Sequence, residues 1–249
     1  MGPRKLATIL LACSTLWAAK TRGATSASTQ AVADAFLLAV DPAGNYGGGG
    51  GISVAGSGTT GGEQRSLIRF DASSLKTAFD VAYGVGGWAV TSAQLDLDAT
   101  TNKGIAFNLN AVSGTINTRW MSNDAWTEGT GRPIVPTSDG VTWNDLSTLS
   151  SPSDESTGSA AFNASTLGLY SLPLTVGSGF LNDLKTGALV TLQVLPGDGS
   201  VSGVFHSSNF ASGHPTLVVA TSASVVPEPT TLLLMPLAVL VLKRARHTA

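Results

Sequence analysis

The stretch AQLDLDA, residues 93–99, decides the fold class of this 249-residue chain. Its alanines and leucines alternate with Gln94, Asp96 and Asp98. A period of two places one set of side chains in a core and the other set in water, so the stretch predicts a half-buried β-strand. A second alternating run at residues 105–111 follows the turn-forming stretch 102–104, and the two predict a hairpin partner for that strand.

The remainder of the body is also typical of β structure. Short β-branched and apolar runs are separated by Gly, Asn, Asp, Ser or Pro, as in strands joined by turns. The runs that predict strands are residues 36–40, 52–55, 66–71, 168–174, 188–195, 201–207 and 215–220. One helical turn is predicted at residues 180–185, with Gly187 as its stop. We expect an all-β fold, a single β-sandwich of jelly-roll or Greek-key type, flanked by an N-terminal signal helix and a short C-terminal hydrophobic helix.

The two ends differ from the body and predict three segments. Residues 1–33 combine a basic start, the apolar run 6–19 and small residues, which is typical of a secretory signal peptide with a short linker. Candidate cleavage points follow three alanines, Ala24, Ala27 and Ala33. Residues 34–222 are expected to form the sandwich domain, and residues 223–249 a sorting or anchor segment.

The charge of the body restricts its partners. Residues 34–222 contain 7 Lys or Arg and 15 Asp or Glu, a net charge of −8. Phosphate contacts need Lys and Arg, so nucleic-acid binding is disfavoured. The one cysteine, Cys13, lies in the N-terminal apolar run, so the exported body has no disulfide to stabilise it. Calcium, neutral sugars and cationic surfaces are the compatible partners.

Calcium is the cofactor that the acidic loops favour, although no EF-hand pattern occurs. Oxygen atoms from several predicted loops would have to converge on one ion. The candidate ligands are Asp41, Asn45, Asp139, Asp145, Asp154 and Asp198. Their loops are far apart in sequence, so no metal site is assigned.

The sequence contains no recognisable catalytic motif, with no Walker loop, nucleophile elbow or His-Glu-x-x-His. Asp96 and Asp98 are the best acid pair, at about 6–7 Å on one strand face, but a solvated strand face also requires alternate polar residues. His206 and His214 have weak spacing for zinc and are interpreted as a strand-end and a turn histidine. We therefore assign no catalytic residue.

Tryptophan rings serve either as core or as platforms for sugar rings. In a sandwich without disulfides large aromatic side chains are more often core, which we predict for Trp126 and Trp143. Trp88 and Trp120 remain candidate glycan contacts.

The C-terminus places three features in a specific order. Pro227, Glu228 and Pro229 come first, an apolar run over residues 230–242 follows, and a basic cluster ends it. The cluster consists of Lys243, Arg244 and Arg246. As a helix, the apolar run over residues 232–242 would be about 17 Å long, whereas a bilayer core is about 30 Å thick.

This order resembles the PEP-CTERM sorting signal of bacteria that produce exopolysaccharide. The resemblance implies recognition by an exosortase-type processing enzyme and a transient stay in the inner membrane, with the basic cluster in the cytoplasm. It implies export to the cell surface or the extracellular matrix. Whether the tail is then removed or kept stays open.

The body resembles the DNRLRE family, secreted β-sandwich proteins with carbohydrate-binding members. The matching phrases are Asp34-Ala35-Phe36, Asn45-Tyr46-Gly47, residues 65–71 and 91–97, Trp126-Thr127-Glu128, residues 141–144, Phe205-His206-Ser207 and residues 215–219. The glycine run 47–51 and the insert 77–87 depart from the family's compact form. The resemblance implies a fold rather than a binding site.

Three functions remain open from the sequence. The first is a non-enzymatic surface or matrix protein that binds extracellular polysaccharide. The second is a secreted polysaccharide-degrading enzyme that uses Asp96, Asp98 or His206. The third is a structural spacer whose partner is another matrix protein.

Overall fold

The protein is described by a computed structural model that covers residues 23–100 and 111–224. It is mostly β, with 46% of its residues in strands and 14% in helices. The described part contains ten strands: β1 (Thr25–Leu38), β2 (Gly51–Ala55), β3 (Gln64–Asp71), β4 (Trp88–Ala99), β5 (Gly114–Met121), β6 (Glu155–Phe162), β7 (Gly168–Leu174), β8 (Leu189–Pro196), β9 (Ser202–His206) and β10 (Thr216–Ala223). It also contains three helices, α1 (Ser73–Tyr83), α2 (Leu146–Leu149) and α3 (Ser178–Thr186), and a 3-10 turn at Trp143–Asp145.

The strands close into a barrel, so the predicted single jelly-roll sandwich is wrong. Six strands pair antiparallel in the order β1, β10, β4, β9, β2, β3 and back to β1. β8, β5 and β6 extend the sheet from β3, and β7 pairs with β4. Closure depends on β1, whose first half pairs with β10 and whose second half pairs with β3, with a register shift between Ala31 and Ala33. Inward and outward residues alternate along the strands of a barrel as they do in a sandwich, so the sequence pattern did not distinguish the two.

The alternation in residues 93–99 is confirmed as a half-buried strand. Its alanines and leucines are at most 6% exposed, and the residues between them face outward. The inward set joins the main core with Phe70, Leu192 and Phe205, all fully buried. Each such Leu or Phe contributes about 1.5–3 kcal/mol through burial.

Two helices cover the main core with the same spacing of apolar residues. α1 buries Leu75 and Phe79, and α3 buries Phe180 and Leu184. Residues four apart lie on one face of a helix, so each pair points inward. α3 ends as predicted at Gly187, which adopts a left-handed φ of 72°. α1 occupies most of the segment that was interpreted as an insert.

A second, smaller core lies between the barrel wall and the chain that connects β5 to β6. Leu37 and Leu67 come from the wall, Met121 is the last residue of β5, and Val141 and Leu149 come from the connecting chain. This cluster orders part of residues 113–165, where no strand was predicted. β5 and β6 lie in that range and were missed.

The terminal predictions fall mostly outside the described residues. β1 begins at Thr25, and its residues 25–30 pair with β10, so of the three cleavage points only the one after Ala24 leaves this pairing whole. Within the ranges 23–100 and 111–224, no helix has the length and apolar character needed to cross a bilayer. Several predictions lie outside these ranges: the signal helix with its apolar run 6–19, hairpin residues 101–110, the C-terminal hydrophobic helix over residues 230–242, and the sorting residues Pro227, Glu228, Pro229, Lys243, Arg244 and Arg246.

Candidate ligand-binding groove

An open groove crosses the outer face of the barrel where β1, β10, β4 and β7 run side by side. Its volume is about 550 Å³. The loop between β9 and β10 closes one side. We call this surface the β4 groove; its lining residues are Ser28, Gln30, Asp96, Asp98, Gly168, Leu169, Gly213, His214, Thr216 and Val218.

Asp96 lies in the centre of the wall because strand register places it opposite Thr216 of β10 and Ser171 of β7. Its Oδ1 accepts hydrogen bonds from Ser171 Oγ at 2.6 Å and from Gln94 Nε2 at 2.9 Å. Among the described residues these bonds engage only Oδ1. Oδ2 is therefore available to accept a hydrogen bond from a ligand.

Asp98 pairs with His206 beside the groove, with Oδ2 3.3 Å from Nδ1. The imidazole also stacks on Phe210, with ring centroids 4.0 Å apart and planes at 18°. Gly213 covers the pair with a left-handed φ of 70°, and a Cβ there would lie 2.3 Å from Asp98 Oδ2. This position requires glycine for its backbone conformation and for the close approach.

His214 occupies the rim of the groove in a defined tautomer. Its Nε2 lies 2.7 Å from the carbonyl oxygen of Phe210. A carbonyl oxygen only accepts, so Nε2 carries the hydrogen and the neutral ring presents Nδ1 as an acceptor. The fold thus brings together Asp96, Asp98, His206 and His214, which the sequence left as separate candidates.

This cluster lacks the features of a hydrolytic or metal centre in the part of the chain that the structure describes. No serine or threonine hydroxyl in residues 23–100 and 111–224 donates to the ring of His206. No group of three or more His, Cys, Asp or Glu in those ranges has the geometry of a metal site. The arrangement can donate and accept hydrogen bonds at an open surface.

A second pair of carboxylates, the buried Asp34 and the half-buried Glu128, was not singled out by the sequence. Asp34 is 0% exposed; its Oδ2 accepts from the Ser208 N–H at 2.6 Å, while its buried Oδ1 has no hydrogen-bond partner among the described residues. Glu128 Oε1 accepts from Asn209 Nδ2 at 2.8 Å and from the Asp34 N–H at 3.3 Å. The pair anchors the start of the loop that forms the groove rim.

Loss of contact with water is the largest influence on the pKa of both Asp34 and Glu128. It raises the pKa of Asp34 to about 7, an effect that the nearby Glu128 charge reinforces and the bond from Ser208 opposes. Burial also raises the pKa of Glu128, against the bonds from Asp34 and Asn209. A carboxylate away from water favours its neutral form, so Asp34 titrates near neutral pH.

Asn45, a candidate calcium ligand, is instead a buried junction of three loops. Its Nδ2 donates to the carbonyl oxygens of Glu128 at 2.7 Å and Val141 at 2.8 Å. Its Oδ1 accepts from the N–H groups of Gly131 at 3.2 Å and Gly47 at 3.3 Å. Both ends of the amide are engaged by protein.

Each of the five candidate aspartates accepts hydrogen bonds from the protein, either within its own loop or from the β5 region. The donors are Tyr46 for Asp41, Thr130 and Thr137 for Asp139, Thr142 for Asp145, Ser122 and Ser151 for Asp154, and Thr115, Ser200 and Val201 for Asp198. These bonds lower the pKa of Asp139 and of Asp198 to about 2. Asp139 and Asp145 line one hollow of about 350 Å³, but no group of three or more acidic, His or Cys side chains in residues 23–100 and 111–224 has the geometry of a metal site.

The tryptophans are distributed differently from the sequence expectation. Trp88 and Trp120, the candidate glycan contacts, are 1% and 6% exposed, and their indole N–H groups donate to Asp80 and Asp183 at 2.8 Å. A buried ring has no free face for a sugar, so this expectation is wrong. Trp126 is core as predicted, at 7% exposed.

Trp143 packs only partly against the second core and borders a separate hollow of about 450 Å³. The Arg65 guanidinium carbon lies 5.1 Å from its ring centre, and Arg65 also pairs with Glu63 at 2.6 Å. The ring face toward solvent is thus shared with an ion-paired arginine. This hollow is the weaker ligand site, because the groove has two carboxylates, an amide and two hydroxyls on rigid strands.

Comparison with known proteins adds no family or relative, since no family model and no curated protein matches the chain. The resemblances to PEP-CTERM proteins and to the DNRLRE family stay predictions.

Proposed function

We propose that the protein is a non-enzymatic cell-surface or extracellular-matrix protein that binds extracellular polysaccharide in the β4 groove. In this proposal it is exported, is processed by an exosortase-type enzyme, and resides transiently in the inner membrane. The sorting order at residues 227–246 and the acidic body support that route. The binding role has a separate basis in the groove.

The observation that carries the binding role is the convergence of polar side chains from β1, β4 and β10 on one open surface. Asp96, Gln30 and Ser28 can donate to or accept from sugar hydroxyls without a conformational change. They stand on paired strands, so little ordering free energy is lost when a ligand binds. An open groove admits a chain of sugar units without requiring a chain end to enter it.

The charge of the groove selects the class of polysaccharide. The described residues that line it include two carboxylates and no Lys or Arg. Like charges disfavour a polyuronate there, while hydroxyl groups and amino groups can bond to the carboxylates. Neutral or amino-bearing polysaccharides are the expected ligands.

Affinity electrophoresis of the full chain in mild detergent tests this function. We expect retardation in gels that contain a neutral or amino-bearing polysaccharide and none with a polyuronate. Asp96→Ala and Gln30→Ala should each weaken binding about 5–10-fold, the value of roughly one hydrogen bond. Ser147→Ala, in the Trp143 hollow, is the matched control and should bind normally. Normal retardation of both groove variants, or none for the native chain, would overturn the proposal.

The runner-up is a polysaccharide-degrading enzyme, favoured by one observation. Asp96 and Asp98 share the groove face, and Asp98 is paired with His206, so an acid and a base stand near each other. Release of new reducing ends, abolished by Asp98→Asn, would establish this function. Polysaccharide that is retained but not shortened would exclude it.

A further inference from the structure

The described chain enters and leaves the barrel at the same end. The Tyr83 hydroxyl at the end of α1 lies 2.8 Å from the carbonyl oxygen of Gly23 and 2.9 Å from that of Thr221. The Ser224 N–H donates to the Gly87 carbonyl at 3.0 Å. We call this surface, formed by Gly23, Ser224 and residues 81–87, the exit end.

The exit end exposes two large apolar side chains. Val81 is 79% exposed and Val85 is 87% exposed, although most large apolar side chains of the barrel are buried. The charged groups beside them are engaged by the protein. Asp80 accepts from the Gly86 N–H and pairs with Lys76 at 2.6 Å, and Lys185 Nζ donates to the Trp88 carbonyl.

The sequence beyond the two exits carries the apolar runs. Run 6–19 ends four residues before Gly23, and run 232–242 begins eight residues after Ser224. A fully extended chain spans at most about 3.5 Å per residue, so these linkers reach at most about 14 Å and 28 Å. Insertion of either run in a bilayer would hold the exit end next to the lipid.

We propose that the exit end docks on the phospholipid surface through Val81 and Val85. The inference rests on the membrane step of the proposed function. Apolar side chains at such a surface enter about 5–10 Å into the headgroup region. The groove residue Thr216 is seven positions along β10 from Ala223, about 23 Å from the exit end, so the β4 groove stays open to solvent while the barrel is docked.

Site-directed fluorescence on the full chain tests this docking. Val85→Cys and Val40→Cys, each in a Cys13→Ser background, carry an environment-sensitive dye. Val40 is the matched control, because it is also an exposed valine, at 64%, and follows the opposite end of β1. The proteins are reconstituted with vesicles of phosphatidylethanolamine and phosphatidylglycerol that contain a spin-labelled quencher lipid.

We expect several-fold stronger quenching at position 85 than at position 40, and loss of that difference when Val81→Asp is added to the labelled Val85→Cys protein. Flotation is measured separately. A chain that floats without preferential quenching at position 85 overturns the docking but leaves the membrane step intact. A chain that does not float overturns both. A concentration-dependent dye shift without vesicles shows that a second copy covers the exit end, which also overturns the proposal.

Discussion

The two carboxylate pairs of this protein have different environments. Asp96 and Asp98, the outer pair, face outward from β4 into an open groove, whereas in the inner pair Asp34 is fully buried and Glu128 is half-buried where β1 meets the loops. In the outer pair, Asp96 Oδ2 accepts no hydrogen bond from the described residues. The inner pair binds the loop after β9 through Ser208 and Asn209, and this places the Asp34 carboxyl group away from water. Chemical type alone therefore does not identify a binding residue; access to solvent does.

The largest effect is expected from Asn45→Asp, an isosteric change at the junction of three loops, where Asn45 contacts the backbone of Glu128. The new carboxylate would face the carbonyl oxygens of Glu128 and Val141, which now accept hydrogen bonds from Asn45. We expect a loss of about 3–5 kcal/mol in the free energy of unfolding, because a buried charge would be left unpaired. Urea denaturation measures it. A loss below that of a surface change would contradict the assignment of Asn45 as a structural junction.

The rim of the outer region is tested by Gly213→Ala, with Gly86→Ala as its control. Both glycines have positive φ, but a Cβ at Gly86 meets nothing within 4 Å, while one at Gly213 meets Asp98 and His206. The control should lose about 1–2 kcal/mol from its backbone conformation. Gly213→Ala should lose about 1–3 kcal/mol more from the steric contact. Equal losses in thermal unfolding would show that the loop does not press on the Asp98–His206 pair.

The charge state of the inner pair is tested through the pH dependence of stability. The folded pKa of Asp34 is about 7, above its ordinary 3.8, so the folded state binds the proton more tightly and the free energy of unfolding falls as pH rises from about 4 through 7. Asp34→Asn should remove this fall and be more stable than the native chain at pH 8 by about 1–3 kcal/mol.

Asp139→Asn is the control for that titration. Hydrogen bonds lower the pKa of Asp139 to about 2, so its contribution to stability is lost only as pH falls below about 4. Between pH 5 and 8 the free energy of unfolding of Asp139→Asn should change with pH as it does in the native chain. If Asp34→Asn shows the same change with pH as the native chain, a group other than Asp34 is responsible for it.

The smallest effect on stability is expected in the groove itself. Asp98→Asn changes an outward carboxyl group and should alter the free energy of unfolding by no more than about 0.5 kcal/mol, as for most surface substitutions. Amino-bearing polysaccharide should bind this variant more weakly, because the ionic contact is gone. A loss of stability comparable to that of Asn45→Asp would show that Asp98 stabilises the fold, and the two carboxylate pairs would then not differ in role.

Local patterns predicted much of the secondary structure. The period of two in residues 93–99 and the glycine after α3 report local backbone preferences, and both are confirmed. β6 escaped prediction because its sequence, ESTGSAAF, is rich in small polar residues. α1 was missed because its inward face consists of only Leu75 and Phe79 within a short segment.

The sequence predicted the individual residues of the candidate site but not that they lie close together. Asp96, Asp98, His206 and His214 were all named from the sequence, but their meeting depends on β10 lying beside β4 and on the loop that carries Gly213. Asp34 belonged to a recognised phrase, but its burial was not predicted. The local signal that would have indicated it is a carboxylate inside the apolar run that ends β1.

The amino-acid sequence by itself predicted most of the strands and which of their faces are apolar, because alternation and turn preferences act over a few neighbouring residues; it missed β5, β6 and the first half of β1. Only the tertiary structure decided that the strands close into a barrel, that Trp88 and Trp120 are buried, and which acids reach solvent. Those outcomes depend on pairing between strands far apart in the chain. Side chains alternate with a period of two in both a sandwich and a barrel, so the difference between the two folds is decided by the pairing register of distant strands.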